Sequence, residues 1–236
     1  MEWTAEALLI GVRRHGEHSV IAEAMVAGHG RQLGLVRGGR SSKHSAALQP
    51  GNIVQLTWRA RIADQLGMFS VELLEARAAA LIADRTRLYL SQLLCDHLRL
   101  LPEREAHDRL LGMAVRLIDA KPDGVMLARF ELALLEDLGY GLDLTTCAAT
   151  GVTRDLTHVS PKSGRAVSRT AAEPYKDRLL PLPSFLTERG NASPHDIADA
   201  LRLSGHFLQS QLWGPRELTV SPTRDLLIDA LTKDHD

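Results

Sequence analysis

The chain has 236 residues, of which 44% are hydrophobic and 24% charged, with a formal net charge of −1 and two cysteines. Such a chain suits one or two globular domains at about 150 residues each, with a core that needs no staples. It excludes a disulfide scaffold, fits a reducing compartment, and offers no apolar run near the ~20 residues of a membrane span. The segment Met1–Ile10 has two acids and no Lys or Arg, so it is not expected to act as a secretory signal. The charge is uneven along the chain. Residues 1–63 carry eight Lys and Arg against four Glu, and the remainder holds five more acids than bases. A basic first part suggests a polyanion partner, although an ordinary solvated surface shows the same balance.

The first 78 residues read as β. Ala7–Arg14 is an apolar run that ends in two arginines. Ser19–Ala27 follows, between Gly16 and the Gly28-His29-Gly30 turn, and Gln32–Val36 runs up to Gly38-Gly39. Asn52–Arg61 has the clearest period of two: Val54, Leu56, Trp58 and Ala60 share one face, and Gln55, Thr57, Arg59 and Arg61 the other. Met68–Leu74 repeats the alternation, with Phe69, Val71 and Leu73 inward. Five short strands with glycine-rich turns suggest a small antiparallel barrel or sandwich, for which a five-stranded OB-fold is one solution.

After Arg77 the period becomes helical. Ala78–Leu101 reads as one helix, and Glu103–Ala120 as a second with Leu110, Leu111, Val115 and Ile118 on its stripe. A third helix runs from Pro122, placed in its first turn, to Gly139. Ser193-Pro194 and Ser221-Pro222 each read as an N-cap followed by Pro, opening helices near 194–213 and 222–232. Between them, residues 142–177 show little periodicity and read as an irregular insert, functional or mobile. Strands followed by helices, without alternation, give a segregated α+β chain: a barrel at 1–78 and a mostly helical domain at 79–236 that contains the insert.

No glycine-rich phosphate loop and no nucleophile elbow is present, so nothing supports nucleotide hydrolysis or acyl transfer. His195-Asp196 with Asp199 would suit a metal-dependent hydrolase only if further donors converged, and an acid three residues after Ser193 reads first as a helix cap. His44, His97, His107 and His206 show no ligand spacing and read as surface or core histidines. Cys147-Ala-Ala-Thr150-Gly151 looks like a zinc knuckle with Thr in place of its second cysteine; a neutral hydroxyl is a poor zinc ligand, so no metal is expected. Cys95, on a Leu-rich stretch, reads as a buried apolar residue.

The basic residues of the first domain are the strongest functional signal. Arg37, Arg40 and Lys43 bracket small Gly and Ser residues that let a backbone approach phosphate. Arg13 and Arg14 end the first strand, Arg31 follows the Gly28-His29-Gly30 turn, and Arg59 and Arg61 share a face of the fourth. Together they are the candidate contacts to a nucleic-acid backbone, as against edge charges that merely discourage strand pairing. Trp58 and Phe69 fall on apolar faces and read as core, which favours sequence-tolerant binding to the phosphate backbone.

Several segments in order then resemble a known family. They are Ala7-Leu-Leu-Ile-Gly-Val-Arg-Arg-His-Gly-Glu17, Gly28-His-Gly-Arg31, Val36-Arg-Gly-Gly-Arg-Ser-Ser-Lys43 and Leu48-Gln-Pro-Gly-Asn52, then Arg129-Phe-Glu-Leu-Ala-Leu-Leu-Glu-Asp-Leu-Gly-Tyr140, Cys147-Ala-Ala-Thr-Gly151 and Ser160-Pro-Lys-Ser-Gly164. The set resembles the RecO family of bacterial recombination mediators over nearly the whole chain. The resemblance implies an OB-fold followed by a helical domain in a non-enzymatic, cytoplasmic, nucleoid-associated protein. It implies binding of single- and double-stranded DNA, annealing of complementary strands, contact with the acidic C-terminal tail of single-stranded-DNA-binding protein, and loading of RecA with the partner RecR. Arg129 with Phe130, or Arg116, would supply the cation and apolar wall that such a tail needs, and Lys162, Arg165 and Arg169 of the insert would extend the DNA surface. The chain departs from the family at the zinc site, where only Cys147 remains. A protein-only scaffold, an RNA-binding OB protein and a small hydrolase are the rival readings.

Overall fold

The computed structural model describes residues 1–62, 65–188, 190–218 and 222–233, apart from the side chain of Lys43. The chain forms two compact units, Met1–Lys121 and Pro122–Asp236. The first holds strands β1 (Glu2–His15), β2 (Ser19–Val26), β3 (Gly30–Val36), β4 (Ile53–Arg59) and β5 (Met68–Glu75), with a single helical turn α1 (Ser42–Ser45) between β3 and β4. The five strands close in the order β1-β2-β3-β5-β4.

Closure depends on β1, which starts five residues earlier than its apolar run suggests. Its first half, Glu2–Leu8, pairs with Arg59–Ile53 of β4, and its second half, Ala7–His15, pairs with Val26–Ser19 of β2. A register shift between Leu9 and Gly11 bends the strand between the two partners. Leu9, Ala22, Ala24, Val54, Leu56, Trp58 and Phe69 fill the interior, so the alternation read along β4 and β5 holds.

The first unit continues through α2 (Ala78–Ala83), α3 (Arg85–Leu98) and α4 (Asp108–Asp119). The expected single helix over Ala78–Leu101 is broken at Asp84. Its backbone is extended and its carboxylate accepts from the amides of Thr86 and Arg87, which caps α3. In α4 the buried stripe is Leu110, Ala114, Leu117 and Ile118, so Leu111 and Val115 lie to one side of it. Residues 103–107 are not helical, since Glu103 bridges to Arg31 of β3 instead.

The second unit is built on α5 (Gly124–Asp137) and α7 (Pro194–Leu208), the latter continuing in a wider π turn over Gln209–Trp213, and on α8 (Thr223–Thr232). Asp123 caps α5, so Pro122 precedes the helix rather than sitting in its first turn. Ser193 caps α7 in a reciprocal pair with Asp196, as its sequence predicts. The expected cap at Ser221 lies outside the described residues. The expected irregular insert is ordered: β6 (Leu156–Val159) pairs with β7 (Ala166–Ser168) and β8 (Leu180–Pro181), followed or bridged by the short helix α6 (Arg169–Ala172) and a 3-10 turn over Glu173–Arg178. Buried Glu131 of α5 ties the unit together, accepting from the Arg224 guanidinium at 2.8 and 3.0 Å and from the Ser204 hydroxyl.

Candidate nucleic-acid interface

Strand register decides which basic residues meet. Arg14 pairs with Val20 across β1 and β2, and Val20 pairs with Val36 across β2 and β3. This sets Arg13 and Arg14, at the end of β1, near Arg37, which follows β3. Arg40 joins them, because its amide donates to the His18 carbonyl at 3.3 Å and its guanidinium to the Glu17 carbonyl. Helix α1, which carries Lys43, follows directly. The loop after β4 reaches the same strand end, where the Leu35 amide donates to the Gly67 carbonyl at 3.1 Å. Arg13, Arg14, Arg37, Arg40 and Arg61 are exposed. Among the described residues, the side chains of Arg13, Arg14, Arg37 and Arg61 have no ion-pair or hydrogen-bond partner.

Two members of the predicted set are engaged within the fold. Arg31 is only 17% exposed at its side chain; it pairs with Glu23 and Glu103 and donates to the Leu101 carbonyl at 2.7 Å. It fastens the strand to the chain beyond α3, which argues against a phosphate contact. Arg59 pairs with Glu2 at 2.8 Å, at the first residue pair of the β1–β4 ladder.

The predicted tail-binding residues, Arg129 with Phe130 or else Arg116, are each engaged within their own unit. Phe130 is fully buried and cannot serve as an exposed apolar wall. Arg129 is exposed but donates to the Phe185 carbonyl at 2.9 Å, and Arg116 belongs to the first unit, where it donates to Gly112 of its own helix at 3.1 Å. A cation beside apolar groups does occur in a small recess of the second unit, which Tyr140, Leu142, Lys162 and Phe207 line. In the insert, Arg165 pairs with Asp143 and Arg169 with Asp155, both exposed.

The histidine and acids of the hydrolase reading have local partners. Asp196 completes the cap of α7, and hydrogen bonds from the Ser193 hydroxyl and amide hold its carboxyl below the usual range. Asp199 accepts from Arg202 at 2.8 Å and lies 3.3 Å from His195. Among the described residues no three His, Cys, Asp or Glu side chains converge as metal ligands would. Cys147 is buried; its sulfur accepts from the Ser168 amide at 3.3 Å and lies 3.5 Å from the Ser168 hydroxyl.

The sequence reading missed an aromatic column at the start of β1. Trp3 stacks on His29 with ring centroids 4.4 Å apart and on Trp58 at 5.8 Å. The alternation Trp3-Thr4-Ala5-Glu6-Ala7 was the available signal, but it precedes the apolar run that marks the strand.

A closed five-stranded unit with Arg13, Arg14, Arg37 and Arg40 gathered at one strand end, followed by helices, defines an α+β class that presents a charged barrel end. Comparison with known proteins narrows this. Residues 1–77 match the family model described as Recombination protein O N terminal, and residues 82–218 match Recombination protein O C terminal. The proteins named DNA repair protein RecO from Mesorhizobium japonicum and from a Chelativorans species are 49% and 52% identical to it, over 100% and 95% of this chain and 95% and 93% of their own lengths. The namesake from Agrobacterium fabrum is 48% identical over 99% of the chain and 94% of its own length. The chain belongs to the RecO family of DNA repair proteins. No described helix is long and apolar enough to cross a membrane.

Proposed function

We propose that this chain is a non-catalytic recombination mediator that binds single- and double-stranded DNA through the basic end of its barrel. In this reading it anneals complementary strands, and with RecR it helps load RecA onto DNA coated by single-stranded-DNA-binding protein. The strand order, with a helical turn between β3 and β4, suits an OB-type barrel. The observation that carries the reading is the meeting of Arg13, Arg14, Arg37 and Arg40 at one barrel end, none of them with an acidic partner among the described residues and only Arg40 held by a carbonyl. Unpaired guanidiniums on a rigid scaffold attract phosphates without regard to base sequence. The recess around Lys162 supports contact with an acidic protein tail. The insert is proposed to pack without zinc, in a bacterial cytoplasmic protein.

Arg40 braces the β1–β2 turn, so Arg13→Ala with Arg37→Ala is the cleaner test. Fluorescence anisotropy with labelled single-stranded DNA should show weaker binding across unrelated sequences. The slope of log K against log salt should fall by roughly 1.4, at about 0.7 per lost phosphate contact. Thermal unfolding should be unchanged. Unaltered affinity and slope in the double variant would place the DNA elsewhere.

A further inference from the structure

The groove at the start of β1 differs in chemistry from the basic end. Aromatic residues make up only 4% of the chain, yet two of its three tryptophans stack here with His29. Trp3 and His29 are partly exposed, and with Trp58, Gln32 and Arg104 they line a groove of about 460 Å³. That is the size of a small-ligand site.

The fold holds these groups in place. The Gly28 amide donates to the Asp108 carboxylate at 2.8 Å, and the Gln32 side-chain amide donates to the His29 carbonyl at 2.7 Å. Gly30 lies against the backbone of Glu105, where a Cβ would come within 1.8 Å of the carbonyl oxygen, so only glycine allows this approach. Arg104 adopts φ +65, an uncommon conformation for a residue with a Cβ. From there its amide bonds the Arg31 carbonyl at 2.9 Å, and its guanidinium bonds the Gln65 carbonyl at 3.0 Å beside the groove. Backbone strain held by surrounding contacts is a mark of functional positions. Glu2, on the rim, is neutralised by Arg59 at 2.8 Å.

Partly exposed ring surface beside a fixed cation fits a planar ring that carries an anion. We propose that this groove is a stacking slot for one unpaired nucleobase of single-stranded DNA, with Trp3 and His29 contacting the base and Arg104 the adjacent phosphate. The slot rests on the DNA-binding reading above and adds selection for unpaired strands, because a base within a duplex has both faces covered. It also changes the part assigned to Arg59, which keeps the Glu2 carboxylate from repelling that phosphate.

The test compares three probes at equal salt: an oligothymidylate of about ten nucleotides, within the usual site size of one barrel, an abasic oligomer of the same length and charge, and a duplex. The oligothymidylate should quench tryptophan fluorescence and bind several-fold more tightly than the abasic strand; neither the abasic strand nor the duplex should quench. His29→Ala should weaken oligothymidylate binding about five-fold or more, the lower range of a lost base–aromatic stack, and leave abasic binding unchanged. His29→Phe should restore it, which a purely structural role for the imidazole would not. Equal affinity for the abasic strand and the oligothymidylate, without quenching, overturns the slot alone. Failure to bind any of the three probes overturns the DNA reading and the slot with it.

Discussion

Cys147 stands where the family resemblance asks for a zinc ligand, and its sulfur is satisfied by other groups. Burial pushes the thiol up, but its hydrogen bonds with the Ser168 and Thr150 hydroxyls and the Ser168 and Ala149 amides outweigh this and bring it down to about 6. The folded state therefore favours the thiolate. A depressed pKa contributes stability that is fully present above the unfolded thiol value, near 8.5, and is lost as pH falls through about 6. Cys95 acts in the opposite sense. Burial pushes it up to about 12, so its effect begins only above the unfolded value, where rising pH removes stability. Between about pH 6 and pH 8, then, the unfolding midpoint should rise with pH in the native chain and rise less in Cys147→Ala. Urea titrations of both proteins across that window would show it, and parallel profiles would count against a thiolate. The lone cysteine was legible in the sequence; its polar surroundings were not, because Ser168 arrives from a strand 21 residues further on. Arg31 follows the same logic. Its charge suggests a phosphate contact, but Leu101 and Glu103, 70 and more residues away, already engage its guanidinium.

At the scale of elements, period and punctuation placed all five strands of the first unit within a few residues, except the start of β1. They failed where a polar residue interrupts an apolar stretch. Asp84 sits in a run whose leucines suit one continuous helix, yet its side chain bonds the amides of Thr86 and Arg87 at 2.9 and 3.1 Å and starts a new one. Without that acceptor, two amides at the start of α3 lose their partner. Asp84→Ala should cost about 1 kcal/mol, read as a lower urea midpoint with an unchanged m-value, whereas Asp84→Asn should retain most of the stability. A variant as stable as the native chain would mean that packing alone sets the break between α2 and α3. The strands of the insert escaped notice for a different reason. Runs of four, three and two residues are too short to display a period, and β6 meets β8 only through His158↔Pro181 and Val159↔Leu180.

For the whole molecule, the shift in composition near residue 78 marks where the barrel strands end, and the two family models divide near the same place, at residues 77 and 82. The compact units divide later, at Lys121 and Pro122. The difference lies in contacts that close over long sequence separations. Arg31 donates to the Leu101 carbonyl, and the Arg104 amide to the Arg31 carbonyl. Gly28 is held by Asp108, and Arg99 of the α3 terminus pairs with Glu23 of β2 at 3.2 Å. The Arg99 guanidinium also fills the space over Gly11, where a Cβ would come within 1.9 Å of it, at the bend that lets β1 serve two partners. A fragment of residues 1–77 keeps every barrel strand but exposes the Arg31 and Glu23 side chains and the bend at Gly11. A fragment of residues 1–121 keeps those contacts and, with them, the barrel's basic end and the aromatic groove. The longer fragment should unfold in one cooperative transition and bind single-stranded DNA with nearly the affinity of the full chain. The shorter one should melt at least several degrees lower or fail to fold, by calorimetry at matched concentration. If residues 1–77 prove as stable as 1–121, the helices after the barrel add nothing to it, and the unit boundary belongs where the composition changes.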